Sequence, residues 1–475
     1  MKQAFFALLV CYVMTACVGP RRDPPAAATV TPPPAWRSGA SGADTAVDPS
    51  WWQQFDDPAL SQIVDATLAN NVDVAIAASR VEEARAQFRL ARSQQLPAVS
   101  GLAGGDHDRS VNAFGKGVDQ WAGEGEMQAS FDLDLFGRLA NSTAAERAQQ
   151  LSSQNNRDTV RLAVATSAAR GYVTLRAFDA RLAVLRDTLT ARAAALKLTE
   201  RRANAGYSSR LDLAQAQAEY QATAQLIPAA ELAITQQENG LSILLGREPG
   251  DIVRGKPLDA IGLPLVPVLM PSRLLERRPD VAAAANQIVV ADRSLDAARA
   301  AFMPDIKLSA TGGAVASSLL SNPISIFSLG GSILAPLFQG GRLRAQADVA
   351  TARRDQAAFA YRRVALGAFG EVEDGMAAQQ RDREQEAALE AQRAALATAL
   401  RLADNRYRAG YSPYLELLDA QRALLSADLA LVQSRADRLA SAITLYHAMG
   451  GGWSAQSSQE AREGLAGLAG APPHR

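Results

Sequence analysis

Between Met127 and Leu135 apolar side chains fall on every second position, at Met127, Ala129, Phe131, Leu133 and Leu135, with Gln128, Ser130, Asp132 and Asp134 between them. This period of two predicts a strand with one apolar and one wet face. It returns after Pro304, where Ile306, Leu308 and Ala310 alternate with Asp305, Lys307, Ser309 and Thr311, and again along Leu329, Ile333, Ala335 and Leu337. Strands of this kind, about ten residues long, fit a transmembrane β-barrel with a polar lumen. By pattern alone a half-buried soluble sheet fits equally well.

The segments between the strands carry a helical period instead. Arg138 to Asn204 contains no proline and only Gly171 as a breaker, and Leu182, Leu189 and Leu196 recur at heptad spacing. As one helix it would reach on the order of 100 Å at about 1.5 Å per residue. Near the far end of the chain Leu417-Leu418, Leu424-Leu425 and Leu431-Val432 form a second heptad seam. Alanines flanking that seam admit neighbouring helices on both sides, as a wall of side-by-side helices requires. Pro228 interrupts an otherwise helical stretch and predicts a kink.

These elements occur twice. Asp73-Val74-Ala75 recurs as Asp280-Val281-Ala282 and, with the same offset, Ala91-Arg92 as Ala298-Arg299 and Pro97 as Pro304. Ala205-Gly206-Tyr207-Ser208 recurs as Ala409-Gly410-Tyr411-Ser412, and without a gap Leu211-Asp212-Leu213 meets Leu415-Glu416-Leu417 and Gly246 meets Gly450. Each copy reads helix, proline, strands, long helix, glycine turn, long helix, glycine stop. The expected division is a signal peptide at 1–16, a lipidated cysteine with a proline-rich extended tether at 17–50, repeats at 51–257 and 258–453, and a loose tail at 454–475.

The first residues change the compartment. Lys2 precedes an apolar run from Ala4 to Val13, too short for a permanent span, and Met14-Thr15-Ala16-Cys17 ends it. This resembles a lipoprotein signal cleaved before Cys17, the alternative being an ordinary secretory signal with an incidental cysteine. Cleavage also removes Cys11, so no disulfide framework is possible. Val18 stands where aspartate would resemble an inner-membrane retention signal, which directs the chain to the outer membrane.

Composition narrows the classes that remain. With 49 basic and 49 acidic side chains the formal charge is zero, which disfavours nucleic acid as a partner. Hydrophobic residues make up 48% and aromatics 6%, much of the former alanine, as long close-packed helices prefer. The three histidines, His107, His447 and His474, lie far apart, so neither a metal site nor a histidine-based triad has material; no catalytic residue and no cofactor is expected.

One chain offers about four strands, and a bilayer barrel of fewer than about eight leaves edges unpaired in lipid, so chains must combine. From Trp51 to Trp453 the chain resembles the NodT-type lipoproteins of the TolC-like (OprM-like) outer-membrane factor family. The resemblance is carried by Trp51-Trp52 with Phe55-Asp56-Asp57-Pro58, Phe131-Asp132-Leu133-Asp134-Leu135-Phe136-Gly137-Arg138, Arg277-Arg278-Pro279-Asp280-Val281, Leu417-Leu418-Asp419-Ala420-Gln421-Arg422 and Gly450-Gly451-Gly452-Trp453. It implies a mixed α and β membrane protein, a homotrimer whose four strands per chain close a 12-stranded β-barrel continued by a long periplasmic α-helical barrel. It also implies a periplasmic adaptor at the tip and an inner-membrane efflux transporter that supplies energy.

Three sites follow. Leu415, Asp419 and Arg422 share a helix face just after the Gly410 turn, with Glu416 beside them. The resemblance places that face on the lumen as a periplasmic gate; a solvated flank with a local Asp419–Arg422 pair fits the spacing as well. The turns Gly206-Tyr207-Ser208 and Gly410-Tyr411-Ser412 reverse helical hairpins, with the serine able to cap the next helix, and by resemblance they dock the adaptor. Cys17 is the lipid anchor in the outer membrane. The reading is an efflux duct for small molecules; an exit duct for type I protein secretion and a lipid-anchored coiled-coil scaffold without a pore are the alternatives.

Overall fold

The computed structural model describes residues 21–37 and 47–454. A 3-10 turn, Trp51–Phe55, leads into helix α1 (Pro58–Asn70), which starts where Asp57 accepts from the Ala59 and Leu60 N–H groups and proline takes the first position. Helix α2 (Val72–Ser93), strands β1 (Ala98–Val111) and β2 (Gly117–Asp132), and helices α3 (Arg138–Asn204), α4 (Arg210–Ala224) and α5 (Leu226–Leu244) complete the first series. The second series runs α6 (Pro271–Arg277), α7 (Pro279–Ala300), β3 (Asp305–Ser317), β4 (Ile324–Leu334), α8 (Arg342–Ala409) and α9 (Tyr414–Ala448).

The four strands form one antiparallel sheet in the order β1-β2-β3-β4. Register sorts its two faces. Glu124, Glu126, Gln128, Ser130 and Asp132 of β2 stand opposite Val315, Gly313, Thr311, Ser309 and Lys307 of β3, whereas Met127, Ala129 and Phe131 stand opposite Gly312, Ala310 and Leu308. One face is polar and the other apolar, and β1 and β4 are left as free edges in the single chain.

Strand limits differ from the periodicity in two places. The alternation along Met127–Leu135 overruns the strand, which stops at Asp132. Asp134 turns left-handed at φ 44 and its carboxylate accepts from the Leu139 and Ala140 N–H groups, so it serves the start of α3. Ala335 and Leu337 likewise fall beyond β4. Strand β1 had no legible alternation because Gly101, Gly104 and Gly105 dilute it, and the strands span 11 to 16 residues rather than about ten.

Helices α3 and α8 span 67 and 68 residues without interruption. The counterpart of the 35-residue α9 in the first series is broken at Gln225 into α4 and α5. Pro228 offers no N–H to the preceding turn, and the break falls just ahead of it while Gln225 keeps right-handed helical angles, a kink and not a stop.

The chain divides into two compact units, one built on residues 79–155 and 282–364 with the segment up to Val30, the other on 31–78, 156–281 and 365 onward. Within the first lie the sheet and the start of the tether. The tether is not free. Arg354 donates to the carbonyls of Arg22 and Asp23, Arg362 to that of Ala27, and Arg21 pairs with Asp292 at 2.8 Å. Prolines 24 and 25 lack N–H groups, which leaves neighbouring carbonyls open to these arginines. Cys17 and the tail beyond Ser454 lie outside the described residues.

Within the second unit the two series close on themselves by equivalent latches. Asn71 caps α2 through Oδ1 and donates from Nδ2 to the Leu244 carbonyl at 2.9 Å; in the second series Arg278 donates to the Ala448 carbonyl at 3.0 Å. Gly246 and Gly450, both left-handed, lie so close to the carbonyls of Asn70 and Arg277 that a Cβ at either would collide with them. Arg278 also grips both oxygens of Asp280 at 3.0 and 2.7 Å and Glu371 at 2.7 Å. Burial alone would raise the Asp280 carboxyl, but the guanidinium outweighs it and holds the group below its ordinary range. The tryptophans at both ends of this stretch are each held in the same unit: Trp51 stacks on Tyr446 at 5.1 Å and Trp453 donates to Asp158 at 3.0 Å.

Candidate functional site

Helices α3 and α8 both end in the same hydrogen-bonded turn. Tyr207 N–H reaches the Arg202 carbonyl and Gly206 N–H that of Ala203, and Tyr411 and Gly410 repeat this with Arg406 and Tyr407. Each is a Schellman motif, which requires the left-handed backbone that Gly206 (φ 78) and Gly410 (φ 82) adopt. No atom lies within 4 Å of where a Cβ would stand at either glycine, and Tyr207 and Tyr411 are exposed.

The serines behave differently from expectation. Ser208 does not cap α4; Ser209 does, in a reciprocal capping box with Asp212, while Ser208 Oγ donates to Asp212 Oδ2 at 2.8 Å. In the second tip the N-cap position belongs to Pro413, and Ser412 Oγ is buried without a partner. The Schellman turn consumes one residue more than the glycine-serine spacing allows, so the cap moves one place along.

Below the tips the helices close over Ala216, Tyr407, Tyr414, Leu417 and Leu418, with Leu196, Leu198 and Leu400 packed against them. Tyr407 and Tyr414 meet edge to face at 5.6 Å, and Tyr407 Oη shares a hydrogen bond with Thr199 Oγ1 at 2.9 Å. Burial, with Glu219 next in effect, pushes the Tyr414 hydroxyl up to about 12.

The predicted gate residues Leu415, Glu416, Asp419 and Arg422 are all exposed on the first turns of α9. The local Asp419–Arg422 pair does not form. Arg422 turns to Glu219 on α4, donating through both Nε and Nη2, and Glu416 pairs with Arg406 at 3.1 Å. Glu219 also accepts from Arg192 at 2.9 Å, so one carboxylate sits between two guanidiniums. Their exposures are unequal: 5% for Arg192, 9% for Glu219 and 55% for Arg422. The Glu219 hydrogen bond raises the Arg422 guanidinium above its ordinary value, while burial lowers that of Arg192. Periodicity cannot find Glu219. Aligning the copies could have, because Ala218-Glu219 in the first faces Arg422-Ala423 in the second, complementary charges one residue apart.

A four-stranded sheet with one apolar face and two free edges, followed along the chain by uninterrupted helices that end in glycine tips, defines a subunit of a barrel-forming duct. The sequence profile of the outer membrane efflux protein family matches residues 63–247 and again 270–451, and the chain belongs to that family. Among its relatives, the probable efflux pump outer membrane protein TtgC of Pseudomonas putida is 34% identical over 92% of each chain, and the cation efflux system protein CusC of Escherichia coli is 31% identical over 87% of this chain and 90% of its own. The solved structure of CusC superposes with a TM-score of 0.80 at 30% identity, covering 91% of this chain and 99% of that one; the outer-membrane channel OprN gives 0.83 at 27%, covering 92% and 99%. The protein is an outer-membrane efflux channel subunit with a large periplasmic helical part, and three chains of four strands close a 12-stranded barrel. The free edges β1 and β4 are thereby paired between chains.

Proposed function

We propose that the trimer is the passive exit duct of a tripartite pump of the resistance-nodulation-division type, gated at its periplasmic tip, with no chemistry of its own performed on the cargo. The observation that carries this reading is the Arg192–Glu219–Arg422 clasp directly beneath the two glycine tips: it ties α9 to α4 and so holds the helix that bears Leu415, Glu416 and Asp419. Threefold repetition would bring three Asp419 carboxylates toward one axis. Like charges there repel unless cations or arginines bridge them, and carboxylates bridged in this way hold the closed state.

The exposed turns Gly206-Tyr207-Ser208 and Gly410-Tyr411-Ser412 are the surfaces for a periplasmic adaptor, which joins the duct to an inner-membrane transporter that supplies the energy. Cys17 carries the acyl chains that hold the amino terminus in outer-membrane lipid. We read the body as two repeats, 51–257 and 258–453. Relatives at similar identity bear names for toluene, antibiotic, cation and pyoverdine export. One architecture with such varied cargo fits a duct whose selectivity resides in the pump behind it.

Planar-bilayer recording of wild-type and Asp419→Ala trimers tests the gate. Removing the carboxylates should give larger or more frequent openings; identical conductance and open probability would contradict the assignment.

A further inference from the structure

The two strand-to-helix turns of the chain are copies with one substitution that matters. After β2 the chain reads Asp134-Leu135-Phe136-Gly137-Arg138, and after β4 Pro336-Leu337-Phe338-Gln339-Gly340-Gly341-Arg342. In the first turn carboxylates surround the arginine: Arg138 stands 4.0 Å from Asp132 and 3.9 Å from Asp305, and Asp134 is close by at the start of α3. In the second turn proline replaces that aspartate. Among the described residues of the single chain the Arg342 guanidinium donates to the side-chain oxygens of Gln339 and Gln346 and forms an ion pair with no carboxylate.

A cavity of about 660 Å³ lies against both turns, lined by Leu135, Phe136, Leu337 and Phe338 together with Arg138 and Arg342, and on the Arg138 side by Asp134 and Asp305. Leu337 and Phe338 are almost fully exposed. They follow closely on β4, whose Phe327, Leu329 and Ile333 are exposed on the apolar side of the sheet, which meets lipid in the closed barrel. The turns join strands to the periplasmic helices, so this surface lies at the periplasmic leaflet, which is made of phospholipid.

We propose that the cavity is a phospholipid site, in which Arg342 holds the phosphate and an acyl chain lies along Leu337 and Phe338. An apolar wall alone would accept any amphiphile. A guanidinium without a carboxylate partner adds a preference for phosphate, which it matches through paired N–H donors. The volume suits a headgroup and the first part of its chains.

The test uses the full-length trimer, reconstituted into vesicles of phosphatidylethanolamine and phosphatidylglycerol, released in detergent and examined by native mass spectrometry, with trimer content measured separately by size exclusion. Wild type should retain phospholipid, and should not retain a glucosyl diacylglycerol of the same chain length, which lacks phosphate. Arg342→Gln should weaken retention about fivefold, the effect of one arginine on an anionic lipid, with trimer content unchanged. Phe338→Ser should weaken it as well. Arg344→Gln, exposed and outside the cavity, should leave retention as in wild type. Equal losses from Arg344→Gln and Arg342→Gln would reduce the effect to general surface charge and overturn the site. Equal retention of the phosphate-free lipid would overturn phosphate recognition, and loss of trimer from Arg342→Gln without loss of lipid per trimer would assign the cavity to subunit contact.

Discussion

Replacing Glu219 with glutamine should loosen the periplasmic tip far more than replacing Arg422, although both substitutions break the same ion pair. Glu219→Gln leaves Arg192, only 5% exposed, without its carboxylate. Stranding a buried charge in this way costs about 3–5 kcal/mol, lowered toward about 2 kcal/mol here because Arg192 keeps the Glu219 carbonyl and Thr223 Oγ1 as acceptors. Arg422 is 55% exposed, so water replaces its lost partner and Arg422→Gln should cost under about 1 kcal/mol. Where opening parts α4 from its neighbours and exposes Arg192 to water, about 2 kcal/mol lowers the closed tip roughly 30-fold in its equilibrium with open forms. Single-channel recording reads this as open probability, raised strongly by Glu219→Gln and weakly by Arg422→Gln. Salt separates the two further: between about 0.1 and 1 M the Arg422 effect should fade by screening while the Glu219 effect persists. Equal effects from the two variants, or an unchanged open probability for intact Glu219→Gln trimers, would refute the role given to burial.

Other expectations follow from the same geometry. Gly450→Ala should abolish stable trimers, because to the left-handed strain of about 1–2 kcal/mol it adds collision with the Arg277 carbonyl, whereas Gly410→Ala, in open space at φ 82, should lower thermal stability by only about 1 kcal/mol. Burial, and after it the Arg278 guanidinium, holds His447 below its ordinary pKa of 6.5. The unfolded chain therefore binds a proton near pH 6.5 that the folded chain refuses, and stability should fall below that pH by up to about 1.4 kcal/mol per pH unit per chain. Asp280, held below 3.8, does not titrate in this window, so His447→Gln should flatten the loss in trimer melting between about pH 7.5 and 5.5; an unchanged slope would contradict it. Cys17→Ala should reduce assembly or sorting more than conduction, and properly assembled mutant trimers that carry no current would contradict that.

What the sequence determined by itself was whatever repeats locally. The uninterrupted run from Arg138 to Asn204 is one helix, the glycines at 206 and 410 are its turning points and those of α8, and the spacing of Leu415, Asp419 and Arg422 puts them together on α9. Each depends on backbone geometry within a few residues, and periodicity reports that geometry directly. Tertiary structure decided which neighbour each face meets. The partner of Arg422 is Glu219 and not Asp419, because two helices crossing at the tip bring a buried carboxylate nearer than the residue one turn back. It also decided that β2 stops at Asp132, since the next carboxylate serves the helix instead of the ladder, and that the proline-rich amino-terminal segment is pinned by Arg354 rather than free. Periodicity reveals which side of an element is polar. The identity of the group across from it depends on residues far away in the chain, and only the folded arrangement brings those into range.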